Sequence, residues 1–209
     1  DAITALSPLD GRYSRQTSPL QNLMSEYGLV KARITVEIEW FIALSENAGI
    51  PEVPAFTADT LQTLRNIYIN FAPNDAQAVK DIEKTTNHDV KAVEYWLKNA
   101  FQAVPEVAQY SEFLHFACTS EDINNLSYAL MLKESVNTVV IPELSTIIDV
   151  LRTMAHDFAE IPLLSRTHGQ SATPSTLGKE IANVVYRLER QFKSLENFEY
   201  FGKINGAVG

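Results

Sequence analysis

The chain has 209 residues, 17 basic against 26 acidic side chains and a formal charge of −9, with 45% of positions hydrophobic and 21% charged. That apolar fraction is ample for a packed core and excludes a disordered chain. An acidic balance without a basic run excludes a generic binder of nucleic acid or of membrane surfaces, both of which reward clustered Lys and Arg.

Glycine is scarce, at 8 residues, and apolar positions recur at spacings of three and four, so an all-α fold is expected. The expected organisation is a small helical domain over residues 1–107, then the first long helices of an oligomeric bundle over 108–209. Asp1 to Leu20 lack the basic start and apolar stretch of a signal peptide. A first long helix is predicted from about Leu23 to Glu46, with Leu29, Arg33, Val36, Trp40 and Leu44 on one stripe, ending before Gly49 and Pro51. The next begins near Thr57, a natural N-cap with Asp59 in its first turn, and ends near Pro73. Asn74 is predicted to cap a short helix to about Lys84. Thr86 or Asn87 then caps another, whose stripe is Val90, Val93, Leu97 and Phe101, with Pro105 just past its end.

From a cap at Ser120, a helix is predicted through Ile123, Leu126, Leu130, Val136, Leu144, Ile148 and Leu151 to about Phe158. It spans roughly 57 Å at 1.5 Å per residue, more than the ~43 Å diameter of a compact chain this long. Pro142 kinks it or marks the meeting of two helices. A last helix is predicted from Ser175 to a stop at Gly202, with Leu177, Ile181, Val184, Leu188, Phe192, Leu195 and Phe198 on one side. Two long amphipathic helices joined by a polar loop cannot cover each other's apolar faces, so helical partners are expected, from more chain or from other subunits. No stretch approaches the ~18 consecutive apolar residues of a membrane span. Lys203 to Gly209 reads as a loop cut in mid-course.

The densest polar segment is the predicted loop Ser165 to Ser175, which holds His168 between Thr167 and Gly169-Gln170. An imidazole beside hydroxyl, amide and glycine backbone, close to a helix start, has the parts of a proton-transfer centre. Equally, Thr173 or Ser175 simply caps the helix and His168 is a solvated loop residue. Lys84 to Asp89 and Thr119 to Asp122 repeat the pattern at two other helix starts. Each presents donors suited to carboxylates or phosphate, and each is also what ordinary N-capping looks like. Asp10-Gly11-Arg12-Tyr13 adds a guanidinium and a phenol able to grip a phosphate, or a solvated turn. His115 sits among apolar neighbours and reads as packed or interfacial, and His156 as helix surface. The single cysteine, Cys118, follows Phe116-Ala117 and reads as a buried thiol in a reducing compartment, so the cytoplasm is expected. No His, Cys or carboxylate spacing matches a metal site, and neither a Gly-rich phosphate loop nor a Gly-x-Ser-x-Gly elbow is present. Glu37 and Glu39, two apart on a helix, face different sides and do not form a carboxylate pair.

Together these segments resemble the adenylosuccinate lyase branch of the fumarase/aspartase superfamily. The resemblance is carried by Ser7-Pro8-Leu9-Asp10-Gly11-Arg12-Tyr13, by Thr85-Thr86-Asn87-His88-Asp89-Val90-Lys91-Ala92-Val93-Glu94-Tyr95, by Phe116-Ala117-Cys118-Thr119-Ser120-Glu121-Asp122-Ile123-Asn124-Asn125 and by Arg166-Thr167-His168-Gly169-Gln170. It implies β-elimination at a C–N bond, releasing fumarate from adenylosuccinate and from the succinylated aminoimidazole carboxamide ribotide of purine synthesis, with no cofactor. By the resemblance His168 is the general acid at the leaving nitrogen. Asn87, His88, Asp89, Thr119, Ser120 and Gln170 contact the substrate, His88 also orienting or assisting the acid, and Arg12 and Tyr13 bind its nucleotide side. It implies a homotetrameric helical core with active sites shared between subunits, in the cytoplasm.

Two departures stand out. Ser171 replaces the first proline of the family's Gly-Gln-Pro-Ala-Thr-Pro run, which frees a backbone donor and loosens φ. The family's Ser-Ser-x-Met-Pro-x-Lys-x-Asn loop, which carries its serine general base, does not occur in these 209 residues, so this stretch alone is not expected to turn over. The net charge of −9 has the wrong sign to steer an anion from a distance, so binding falls to local donors within ~8 Å, the Debye length at physiological salt. Two other readings remain open: a non-catalytic helical oligomerisation or binding module, and a fumarate-releasing lyase for another substrate such as argininosuccinate.

Overall fold

Helix α2 (Glu26–Ser45) runs through the middle of the first of two compact units, which comprises residues up to Lys133 together with the returning segment from Tyr200. The structure is a computed structural model and describes residues 3–208. Val30, Ile34, Ile38, Phe41 and Ile42 of α2 are each 2% exposed or less, so α2 is buried on more than one side, where a single stripe is expected from sequence. Packed around it are α3 (Ala58–Ile69), α4 (Pro73–Thr86), α5 (Asp89–Phe101) and the short α6 (Pro105–Ala108), which supply Leu64, Val79, Val93, Leu97, Phe101 and Val107 to one core. Each such side chain stabilises the fold by about 1.5–3 kcal/mol through the surface it removes from water.

Local chemistry sets the ends of these helices. The expected helix from Leu23 is broken in two: α1 (Ser18–Met24) stops at Ser25, whose extended backbone lets its side chain accept from the Gly28 amide and cap α2. Thr57 caps α3, accepting from the Thr60 amide. Asn74 does not cap α4. The helix starts one residue earlier at Pro73, where proline has no amide to leave unpaired, and Asp75 accepts the Ala72 amide at 2.9 Å. Asn87 closes α4 in the left-handed conformation (φ 51°), and neither it nor Thr86 caps α5. That role falls to His88, whose Nδ1 accepts the Lys91 amide at 3.2 Å.

A 3₁₀ turn (Ser111–Phe113) leads to α7 (Ser120–Ser135), of which Ser120 is the first helical residue and not the cap. Gly202 is no helix stop. It belongs to the segment lying on α7, where a β-carbon would run into the Leu126 side chain.

The second unit covers residues 134–199. The run predicted from Ser120 to about Phe158 is helical throughout, as α7, a π-helical turn (Val136–Val140) and α8 (Ile141–Asp157). Pro142 neither ends it nor separates two helices, because the Ile141 amide reaches back five residues to the Val136 carbonyl. One widened turn thus absorbs the proline's missing donor. α8 packs beside α9 (Leu177–Glu196), with Ile148 and Val185 buried between them and an Arg152–Glu189 ion pair at 2.6 Å across the seam. Ile147, Val150, Val184 and Tyr186 remain exposed.

The fold is mostly helical, as expected, with one difference. The polar segment expected as a loop is an antiparallel hairpin of β1 (Pro162–Thr167) and β2 (Gln170–Thr176). Both strands are edges, so Pro162 and Pro174 cost little in ladder bonds. α9 starts after a cap at Thr176, not Ser175, and ends at Glu196, short of Gly202. Among the described residues no helix is long and apolar enough to cross a membrane.

Candidate functional site

Two of the polar segments singled out in sequence, 87–89 and the one at the α7 start, are held by side chains spaced along α2. Arg33, 4% exposed, gives Nη2 to Asp89 Oδ2 at 2.6 Å and Nε to Asn124 Oδ1 at 2.9 Å. One guanidinium therefore ties the first residue of α5 to the second turn of α7. Burial pushes the Asp89 carboxyl up, but the Val90 amide and the Arg33 charge outweigh it and hold it below its ordinary value. Asn87 and His88 sit at this junction and are exposed, and the His88 Nδ1 committed to the cap lies 3.7 Å from Asp89 Oδ1.

One turn further along α2, Glu37 is fully buried and meets His115 Nδ1 at 2.6 Å. Its second oxygen, Oε2, has no hydrogen-bond partner. The bond to Glu37 raises the His115 pKa against the opposing effect of burial. The next residue on that face, Trp40, donates Nε1 to the Phe116 carbonyl at 2.9 Å. These two anchors hold a loop in which His115 (φ 62°) and Ala117 (φ 58°) both adopt left-handed backbone, a conformation that costs non-glycine residues energy. The loop delivers Thr119 and Ser120, both half-buried, to the start of α7. Glu39 turns the other way, to Arg65 and Tyr68, so the two glutamates do face different sides.

Asp122 pins the α7 start. Its fully buried carboxylate accepts from the amides of Thr119 (2.9 Å), Asn205 (3.0 Å) and Gly206 (3.3 Å) and from Lys203 Nζ (3.1 Å). The Thr119 amide chiefly holds its pKa down at about 2, against the effect of burial, with help from Asn205 and Lys203. Lys203 to Gly206, within the segment expected as a loop, is docked on Asp122; Gly209 lies outside the described residues. Cys118 is half-buried, and burial, with the Glu37 and Asp122 charges, pushes its thiol up to about 12.

In the second unit, His168 (φ 50°) and Gly169 (φ 74°) form the two-residue turn between β1 and β2, with Thr167 paired to Gln170 across it. Two successive positive φ values are the signature of the tight hairpin turn whose twist matches its strands. Ser171 stands opposite Arg166 in the ladder. The imidazole of His168 is exposed at the tip, and Gln170 is exposed beside it. Arg12 and Tyr13 are exposed in the N-terminal turn, the guanidinium 5.6 Å from the phenol ring centroid. Among the described residues neither side chain hydrogen-bonds to the 87–89 or 119–120 segments.

The first unit thus joins 87–89 to the α7 start through Arg33, for which the spacing alone gives no more than a place on a helix stripe. The available signal was the spacing of Arg33, Glu37 and Trp40 on a helix otherwise rich in buried apolar residues. Such polar groups on a buried face require partners.

The mostly helical fold recurs in solved structures of other proteins. The fumarate lyase from Mesorhizobium sp. BNC1 shares the fold at a TM-score of 0.70 and 18% identity, over 92% of this chain and 43% of that one. The 3-carboxy-cis,cis-muconate lactonizing enzyme from Pseudomonas putida does so at 0.64 and 20%, over 86% and 38%. The lyase family profile spans residues 11–209, and the chain belongs to that family. It is 57% identical over 208 residues to the adenylosuccinate lyase of Vibrio cholerae and 55% identical over 208 residues to that of Escherichia coli. Each match covers 100% of this chain and 46% of the relative, so the chain spans about half the length of the curated relatives it matches.

Proposed function

We propose that the intact protein cleaves adenylosuccinate to AMP and fumarate, and the succinylated aminoimidazole carboxamide ribotide in the same way, in the cytoplasm. The observation that carries this reading is the 57% identity to an adenylosuccinate lyase across the whole of this chain. Residues 1–107 serve as an N-terminal helical domain and 108–209 as the opening of a central bundle.

The chemical difficulty is the removal of a weakly acidic C–H beside a carboxylate, followed by protonation of the departing nitrogen. Positioned donors lower the first barrier by holding the doubly charged aci-carboxylate. In this reading the His168 imidazole gives its proton to the leaving nitrogen. Asn87, His88, Asp89, Thr119, Ser120 and Gln170 surround the substrate, and Arg12 and Tyr13 receive the nucleotide side. A homotetramer brings segments of different protomers to each site, and the exposed Ile147, Val150, Val184 and Tyr186 support that assembly by offering apolar surface to other helices. The reaction requires no cofactor. The general base lies in the part of the relatives that this chain does not span.

Fumarate release by the intact protein tests the reading. Adenylosuccinate is expected to be the preferred substrate, His168→Ala to lose a factor of roughly 10²–10⁴ in turnover, and the 209-residue chain alone to be inert. Near-normal turnover by the variant refutes the role of His168. Activity on argininosuccinate with none on adenylosuccinate refutes the substrate.

A further inference from the structure

We propose that Arg33 and Asp89 are a positioning pair, setting the α5 start that carries Asn87 and His88 against the α7 start that carries Thr119 and Ser120. The inference rests on the substrate-binding role proposed above for those two segments. It gives Asp89 the further task of holding Arg33.

Burial supplies the first reason. Arg33 lies at 4% exposure in the middle of α2, and a guanidinium that deep is tolerated only with a countercharge and satisfied donors. Asp89 Oδ2 provides the charge at 2.6 Å. The other oxygen, Oδ1, accepts the Val90 amide at 2.9 Å, so both carboxylate oxygens have partners within the chain although the Asp89 side chain is 43% exposed. A substrate bearing carboxylates and a phosphate is repelled by a bare aspartate, whereas the pair presents no net charge.

Geometry supplies the second. Val36, Val90 and Ile123 share a small apolar cluster where α2, α5 and α7 meet, but hydrophobic contact is non-directional and fixes neither register nor rotation. The guanidinium does both, because its nitrogens are rigidly planar and bond Asp89 and Asn124 at the same time. Asn124 lies four residues beyond Ser120, one helical turn along α7. A lysine at position 33 replaces the charge but not the fork.

The test is steady-state kinetics of the intact protein with adenylosuccinate, below the melting temperature of every variant. Arg33→Met, Asp89→Asn and Asn124→Ala are expected to lower kcat/KM about 10-fold to 100-fold, mainly through KM, as misplacement of binding groups does. Arg33→Lys restores melting more than it restores KM. In the double variant Arg33→Met with Asp89→Asn, the losses do not multiply, because one interaction is removed twice. As a control, Arg65→Met breaks the Arg65–Glu39 pair of the same unit and lowers melting while leaving kcat/KM within about two-fold, as for an exposed pair. Wild-type kcat and KM in Asp89→Asn and Asn124→Ala, or multiplying losses in the double variant, overturn the proposal. A wild-type protein that releases no fumarate overturns the functional reading instead. The pair is then judged by amide exchange, which must rise at both helix starts in Arg33→Met and stay unchanged in Arg65→Met.

Discussion

Replacing Gly178 with alanine sets two physical rules against each other. Gly178 is the second residue of α9, where alanine gains about 1 kcal/mol over glycine from helix propensity. The added β-carbon, however, points at the Ala155 carbonyl and falls 2.6 Å from Ala159 Cα and 2.7 Å from Ala159 N. All three are backbone atoms, in the last turn of α8 and just past its end, so no side chain can swing aside. Retreat is also blocked, because the Gly178 amide donates to the Phe158 carbonyl and the Leu177 amide to the Ile161 carbonyl, each at 2.9 Å. Overpacking costs about 1–3 kcal/mol and each of those bonds about 1 kcal/mol. After the propensity gain, a net destabilisation of about 2–4 kcal/mol is expected. These contacts close the base of the hairpin that ends in His168, so the loss is local. Amide exchange in the intact protein, read on peptides from Met154 to Val185, should accelerate about 30-fold to 900-fold, the same free energy expressed as an opening equilibrium. Unchanged or slower exchange refutes the close-packing account and leaves propensity as the stronger effect.

The Glu37–His115 pair predicts a pH dependence of stability. The folded pKa of His115 is raised above 6.5, chiefly by its bond to Glu37, so its contribution is fully present below pH 6.5 and is lost as pH rises through the folded value. Relative to Glu37→Gln, the wild type should therefore lose its advantage with rising pH, by at most about 1.4 kcal/mol per pH unit. Denaturant unfolding across that range, with a difference that stays constant, refutes the pair as the cause. Cys118, with its thiol pushed up to about 12 by burial and the neighbouring negative charges, should react with maleimide at pH 8 far more slowly than free cysteine. Labelling at the free rate refutes its half-buried placement.

Much of the helical organisation was legible along the chain, because it depends on neighbours within a turn or two. The Val90, Val93, Leu97, Phe101 stripe of α5 is buried throughout, Thr57 caps α3, and Glu37 and Glu39 diverge as their spacing of two requires. The candidate site was legible only as separate polar patches. The hairpin is not legible along the chain, because Ser165 to Ser175 is a dense polar stretch without an apolar alternation. A strand exists only through its partner, and no periodicity announces the Thr167–Gln170 pairing in so short a segment.

Composition and spacing by themselves determined a mostly helical chain and polar segments at several helix starts, and the lyase-like motifs entered by resemblance. Tertiary structure alone decided that Arg33 belongs with Asp89 and Asn124, that Glu37 belongs with His115 and that Asp122 holds the returning segment at Lys203. These partners lie 56 to 91 residues apart in the bonds through Arg33, 78 apart in the Glu37–His115 bond and 81 apart in the Asp122–Lys203 bond. A buried charge or amide dictates that a partner exists, since leaving it unpaired costs several kcal/mol. Which residue fills the role depends on how the helices pack, and that information is not contained in any local stretch of chain.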